Sequence, residues 1–92
     1  MTLHIVSKSP YQSDCLSNCL NVIADDDILL LIEDGVYADT GDWQQSLASI
    51  NATVLILDND SQTRGLTPSF DTVDYPGFVT LSCDTPRSIS WF

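Results

Sequence analysis

Asp25-Asp26-Asp27-Ile28-Leu29-Leu30-Leu31-Ile32-Glu33-Asp34-Gly35-Val36-Tyr37-Ala38 is the stretch whose reading decides the fold. Five apolar residues run unbroken from Ile28 to Ile32, entered from three aspartates and left through Glu33-Asp34-Gly35. The run is far shorter than the ~20 residues of a spanning helix and lacks the alternation of a half-solvated strand. It reads as a central strand buried on both faces, of the kind found in parallel sheets covered by helices. Asp34-Gly35 then turns the chain at the strand's carboxyl end, where open α/β sheets place their functional residues.

Upstream, Leu3-His4-Ile5-Val6 reads as a first strand. Ser9 has the chemistry of an N-cap, Pro10 suits the first helical position, and Gln12 stands where a capping box needs it. These signals predict a helix over residues 10–23 with Cys15, Leu16, Cys19, Leu20 and Ile23 as its apolar stripe. Strand, helix and strand form a βαβ unit with a right-handed crossover. Downstream, Thr40-Gly41-Asp42 reads as a turn, and Trp43 to Ile50 as a short helix with Trp43, Leu47 and Ile50 on one face. Thr53-Val54-Leu55-Ile56-Leu57 is a second continuous apolar run and a second buried strand, ended by Asp58-Asn59-Asp60. Ser61 to Arg64 fits one helical turn stopped by Gly65, Thr72-Val73-Asp74 a short strand, and Ser88 to Trp91 an edge strand. Phe78 to Cys83 fits strand by β-branching and helix by the shared face of Phe78, Leu81 and Ser82. The fold class is α/β, a mostly parallel sheet with helices on both faces, in one domain over residues 1–92.

Thirteen acids face three bases, Lys8, Arg64 and Arg87, for a formal charge of −10. A phosphate backbone repels such a surface, because nucleic-acid affinity rests on Lys and Arg displacing counterions. Direct nucleic-acid binding by this chain is therefore not expected. The amino terminus has neither the basic nor the long apolar region of a secretory signal. A cytoplasmic location is expected, with no membrane contact, and the three cysteines are expected as thiols. A chain of this length buries only roughly 60–70% of its unfolded surface, and its aromatics Trp43, Tyr37, Phe78, Trp91 and Phe92 suit interface anchors. Assembly into an oligomer is expected.

No cofactor or metal site is read from the sequence. His4 is the only histidine and there is no CxxC pair, so zinc fits poorly; a buried, hydrogen-bonded core residue is the expected state of His4. Cys15 and Cys19 stand at i, i+4 on one helix face, their Cβ atoms too far apart, at ~5–6 Å, for an unstrained disulfide. Lys8 precedes a helix start, a place where an anion can sit, although a solvated loop lysine is the commoner outcome. Glu33, Asp34, Asp58 and Asp60 gather at the carboxyl ends of two strands. A divalent-cation site of the receiver type would need paired acids after the first strand, where Ser7-Lys8 stands. A nucleotide loop would need a glycine there. Asp34 and Asp58 are thus expected as turn and cap residues, and a metal- or nucleotide-binding α/β domain is the weaker functional alternative.

The ordered set Leu3-His4, Ser7-Lys8-Ser9-Pro10, Leu29-Leu30-Leu31, Glu33-Asp34-Gly35-Val36-Tyr37-Ala38, Arg64-Gly65-Leu66, Asp74-Tyr75 with Phe78-Val79, and Trp91 resembles the DsrH/TusB family of sulfur-relay proteins. The resemblance implies a small three-layer αβα sandwich in which Tyr75 to Cys83 is a helix. It implies two sister subunits, of TusC/DsrF and TusD/DsrE type, in a dimer of heterotrimers. The relay would serve 2-thiouridine formation at the tRNA wobble position in the TusB branch, or dissimilatory sulfur oxidation in the DsrH branch. The principal carrier cysteine of the family lies on the TusD/DsrE-type chain. DsrH-type chains also carry a cysteine in the first helix, where Cys19 falls. Two functions follow: an interaction subunit whose chemistry lies on a partner, or a carrier holding persulfide on Cys19. A carrier thiol must be accessible and have a lowered pKa, and Cys19, about two and a half turns into the predicted helix, gains little from its dipole.

Overall fold

The computed structural model describes residues 1–91; Phe92, one of the expected interface aromatics, lies outside the described residues. Five strands form one sheet in the order β4-β3-β2-β1-β5: β1 (Thr2–Val6), β2 (Ile28–Leu31), β3 (Thr53–Leu57), β4 (Asp71–Val73) and β5 (Arg87–Trp91). All four pairings are parallel. The two apolar runs occupy the middle of the sheet, with Leu29 opposite both His4 and Val54, and Leu31 opposite both Val6 and Ile56.

Side chains alternate across a strand, so these registers divide the sheet into two faces. One carries His4, Val6, Leu29, Leu31, Val54 and Ile56; the other carries Leu3, Ile5, Ile28, Leu30, Leu55 and Leu57. From β1 through β4 the chain steps in one direction across the sheet and then returns past β1 to add β5. Right-handed crossovers put the connections of the outward steps on one face and that of the return on the other. The first face therefore receives α1 (Cys15–Leu20), a 3₁₀ segment (Glu33–Asp39), α2 (Gly41–Ala48) and α3 (Asp58–Thr63). Leu16, Cys19, Val36, Ala38 and Leu47 from these elements close over Val6, Leu29, Leu31, Val54 and Ile56. Burying each of the large aliphatic side chains in that cluster contributes roughly 1.5–3 kcal/mol. The second face receives α4 (Tyr75–Asp84).

The first helix is shorter than its sequence signals predict. Ser9 closes a turn instead: its carbonyl accepts from Gln12 N–H at 3.1 Å and its hydroxyl from Tyr11 N–H at 3.2 Å. The hydroxyl of Tyr11 reaches across to the Thr40 carbonyl at 2.9 Å, drawing residues 9–12 off the helical path. Ser13 then accepts from Cys15 N–H at 3.2 Å, and α1 begins there. Its far end closes through the Val22 and Ile23 N–H groups on the Cys19 carbonyl, so Ile23 packs on the core from beyond the helix.

The ambiguous segment after β4 is a helix, as the resemblance implies. Asp74 caps it by accepting from Gly77 N–H at 2.8 Å, and Pro76 lies in the first turn. Ser88 to Trp91 falls within β5, whose free side is one edge of the sheet. Among the described residues no helix is long and apolar enough to cross a membrane.

Candidate functional site

Cys15 and Cys19 both point into the core from α1, 5% and 0% exposed. The Ser13 hydroxyl donates to the Cys15 sulfur at 3.1 Å. Burial first, and the Asp27 carboxylate second, push the Cys19 thiol from its ordinary 9.0 up to about 12. Cys83 is the exposed thiol, on α4. The two core thiols thus lie in the layer opposite Cys83.

A hydrogen-bonded cluster lies beside α1 at the amino end of β2. The Asp27 carboxylate accepts from Thr2 N–H at 2.9 Å and from Ala24 N–H at 3.0 Å, and meets His4 Nε2 at 2.9 Å. Trp91 Nε1 lies 3.2 Å from His4 Nδ1, with the two rings stacked at 6.1 Å between centroids. An indole nitrogen only donates, so Nδ1 accepts and the single imidazole proton sits on Nε2, where it donates to Asp27. His4 is 2% exposed and fully partnered, the core histidine expected of it. The N–H groups of Ala24 foremost, and then His4, hold the Asp27 carboxyl at about 2, below its ordinary 3.8. This cluster ties β1, the turn before β2 and the last described residue of β5 together. Trp91 and Trp43 both pack against the core, and Tyr37 and Phe78 are half-buried, so none of these four expected anchors stands fully exposed.

At the carboxyl end of the sheet the Asp34-Gly35 turn begins one residue early. Glu33 takes the left-handed φ of 48°, and Gly35 N–H closes on the Ile32 carbonyl at 2.8 Å. Gly35 is needed for contact: a Cβ there would lie 2.2 Å from the Val6 carbonyl oxygen, at the end of β1. Asp60 accepts from Glu33 N–H at 2.7 Å and so holds the left-handed residue in place. Asp34, expected as a turn residue, lies in this turn, and its carboxylate accepts from Arg64 at 3.0 Å; Arg64 also donates to the Asp60 carbonyl at 3.2 Å. Asp58, expected as a cap, is the first residue of α3 and accepts from Gln62 Nε2 at 3.0 Å. Asp34, held by Arg64, and Asp60, held by the Glu33 N–H, thus brace the 3₁₀ segment against α3. Lys8 is exposed in the loop after β1.

Sequence reasoning missed the partners of His4. Asp27 is 23 residues away and Trp91 is 87, and only the sheet order brings them together.

Comparison with known proteins gives one family. The family described as DsrH like protein matches residues 8–88. Protein TusB of Enterobacter sp. (strain 638) is 37% identical, over 97% of this chain and 99% of that protein. Protein TusB of Pectobacterium parmentieri and of Escherichia coli (strain K12) are each 33% identical over the same shares. The five parallel strands and the capped α4 agree with the resemblance read from the sequence, and the chain belongs to the DsrH-like family.

Proposed function

We propose that this chain is a subunit of a hetero-oligomeric sulfur-relay complex in the cytoplasm that moves persulfide sulfur toward 2-thiouridine formation at the tRNA wobble position. Its partners in this reading are TusC/DsrF-type and TusD/DsrE-type sister chains, in a dimer of heterotrimers. The carrier chemistry lies on a sister, and this chain supplies structure and contacts.

The burial of Cys19 carries the division of labour. Persulfide exchange requires a thiolate that reaches its donor. A thiol held at about 12 is ionised on the order of one part in 10⁵ at neutral pH, and Cys19 has no exposed surface. The net charge of −10 also suits a chain that leaves tRNA contact to others. Membership of the family and relatives named TusB favour the thiolation branch.

The second reading keeps Cys19 as an active carrier in a sulfur-oxidation relay; its place in α1 favours it. Incubating the chain with a persulfide donor, alone and with both sisters, followed by intact and peptide mass spectrometry, separates the two. The expected result is added sulfur on a sister and none on Cys19. Sulfane sulfur on Cys19 in the assembled complex would replace the first reading with the second.

A further inference from the structure

The two faces of the sheet are unequally covered. Five strands about 4.8 Å apart make a sheet roughly 20–24 Å wide, whereas one helix with its side chains is about 10 Å across. On the face that α4 covers, it is the only helix among the described residues, and none of its ten residues is buried. On that face Leu3, Leu30 and Leu57 are fully buried. Ile5 and Ile28 on that face are only partly buried, and Ser88 and Ser90 of β5 are exposed.

The composition of α4 does not match this exposure. Phe78 and Leu81 are half-buried, while Tyr75, Val79 and Cys83 form an outward i, i+4, i+8 stripe, with Tyr75 48% and Val79 61% exposed. A helix that is apolar on more than its inner side belongs between two layers. The charges bordering it are of one sign. Asp71, which by its register with Leu55 points to this face, Asp74 at the start of α4 and Asp84 at its end are all exposed. Arg87 is registered with Thr2 and so belongs to the opposite face.

We propose that the outer stripe of α4, Tyr75 and Val79 foremost, docks an apolar protein surface bordered by Lys or Arg, supplied by another polypeptide. A second copy of this chain is a poor occupant, because it would set Asp71, Asp74 and Asp84 against their equivalents on a molecule that also carries −10. This inference rests on the assembly reading above and gives it a surface.

The test is calorimetric titration of the chain with each sister subunit, run on wild type, Val79→Asp, Asp71→Lys and Val22→Asp. Val22 is 60% exposed beyond α1, in the other layer, and controls for added surface charge. The expected result is binding that weakens by at least about tenfold in Val79→Asp, weakens in Asp71→Lys and with added salt, and is unchanged in Val22→Asp. Circular dichroism at each step confirms that the variants remain folded. Tight sister binding that ignores Val79→Asp would overturn the surface while leaving the assembly reading intact. No binding of either sister by the wild-type chain would overturn both. Self-association abolished by Val79→Asp would assign the surface to a second copy and refute the basic partner.

Discussion

Replacing Asp27 by alanine should cost this chain a large part of its stability. The carboxylate is 7% exposed and accepts from Thr2, Ala24 and His4. The two backbone N–H groups lie near the surface and regain water in the variant. The His4 Nε2–H, in a side chain with 2% exposure, does not. Losing charge-assisted hydrogen bonds and leaving one buried donor unpaired adds to about 3–5 kcal/mol. A domain of this length has roughly 5–14 kcal/mol in total. At a urea m-value of about 1.5 kcal/mol/M, the midpoint followed by circular dichroism should fall by about 2–3 M. The pH dependence supplies a second check. The folded-state pKa lies below the ordinary one, so Asp27 contributes fully above 3.8 and loses its contribution as pH falls toward about 2. The stability gap between wild type and Asp27→Ala should therefore narrow through that window. A gap under about 1 kcal/mol at neutral pH, or one that stays constant on acidification through the window, would refute the role assigned to this cluster.

Gly35→Ala drives a Cβ against the Val6 carbonyl and should destabilise by about 3 kcal/mol or more, whereas Gly65→Ala, in open space at a φ of +69°, should cost only about 1 kcal/mol in thermal melts. Trp91→Phe keeps an aromatic ring but removes the pyrrole ring with the N–H that donates to His4 Nδ1, and should lower stability by at least about 1–2 kcal/mol in urea. Iodoacetamide should modify Cys83 in the folded chain, and Cys15 and Cys19 only after unfolding, as read by peptide mass spectrometry.

The central strands were legible because Ile28 to Ile32 and Thr53 to Leu57 have no polar face to turn toward water. The start of α1 was not. Ser9, Pro10 and Gln12 satisfy every local rule for a helix, yet Tyr11 finds its partner at Thr40, a contact that exists only once α2 is in place. The helical fate of residues 75–84 carried a readable signal in Asp74-Tyr75-Pro76-Gly77, a cap followed by a proline in the first turn. Periodicity alone obscured it, because a helix with apolar residues on two sides looks like a strand. Gly35 has a negative φ, so its necessity comes from the nearness of Val6 and leaves no local trace. For Cys19 the stripe shared with Leu16 and Ile23 already pointed inward. Its distance from Asp27, across the α1–β2 turn, was not readable from spacing.

Replacing this chain's thiols tests the proposed function most directly. Cys15→Ala, Cys19→Ala and Cys83→Ala can be combined in one chain, assembled with the two sister subunits, and assayed for 2-thiouridine on tRNA with a persulfide donor. The expected result is thiolation within about twofold of the wild-type complex, with loss of activity when this chain is left out. A folded, fully assembled complex that loses thiolation only when Cys19 is replaced would contradict it and make this subunit a carrier.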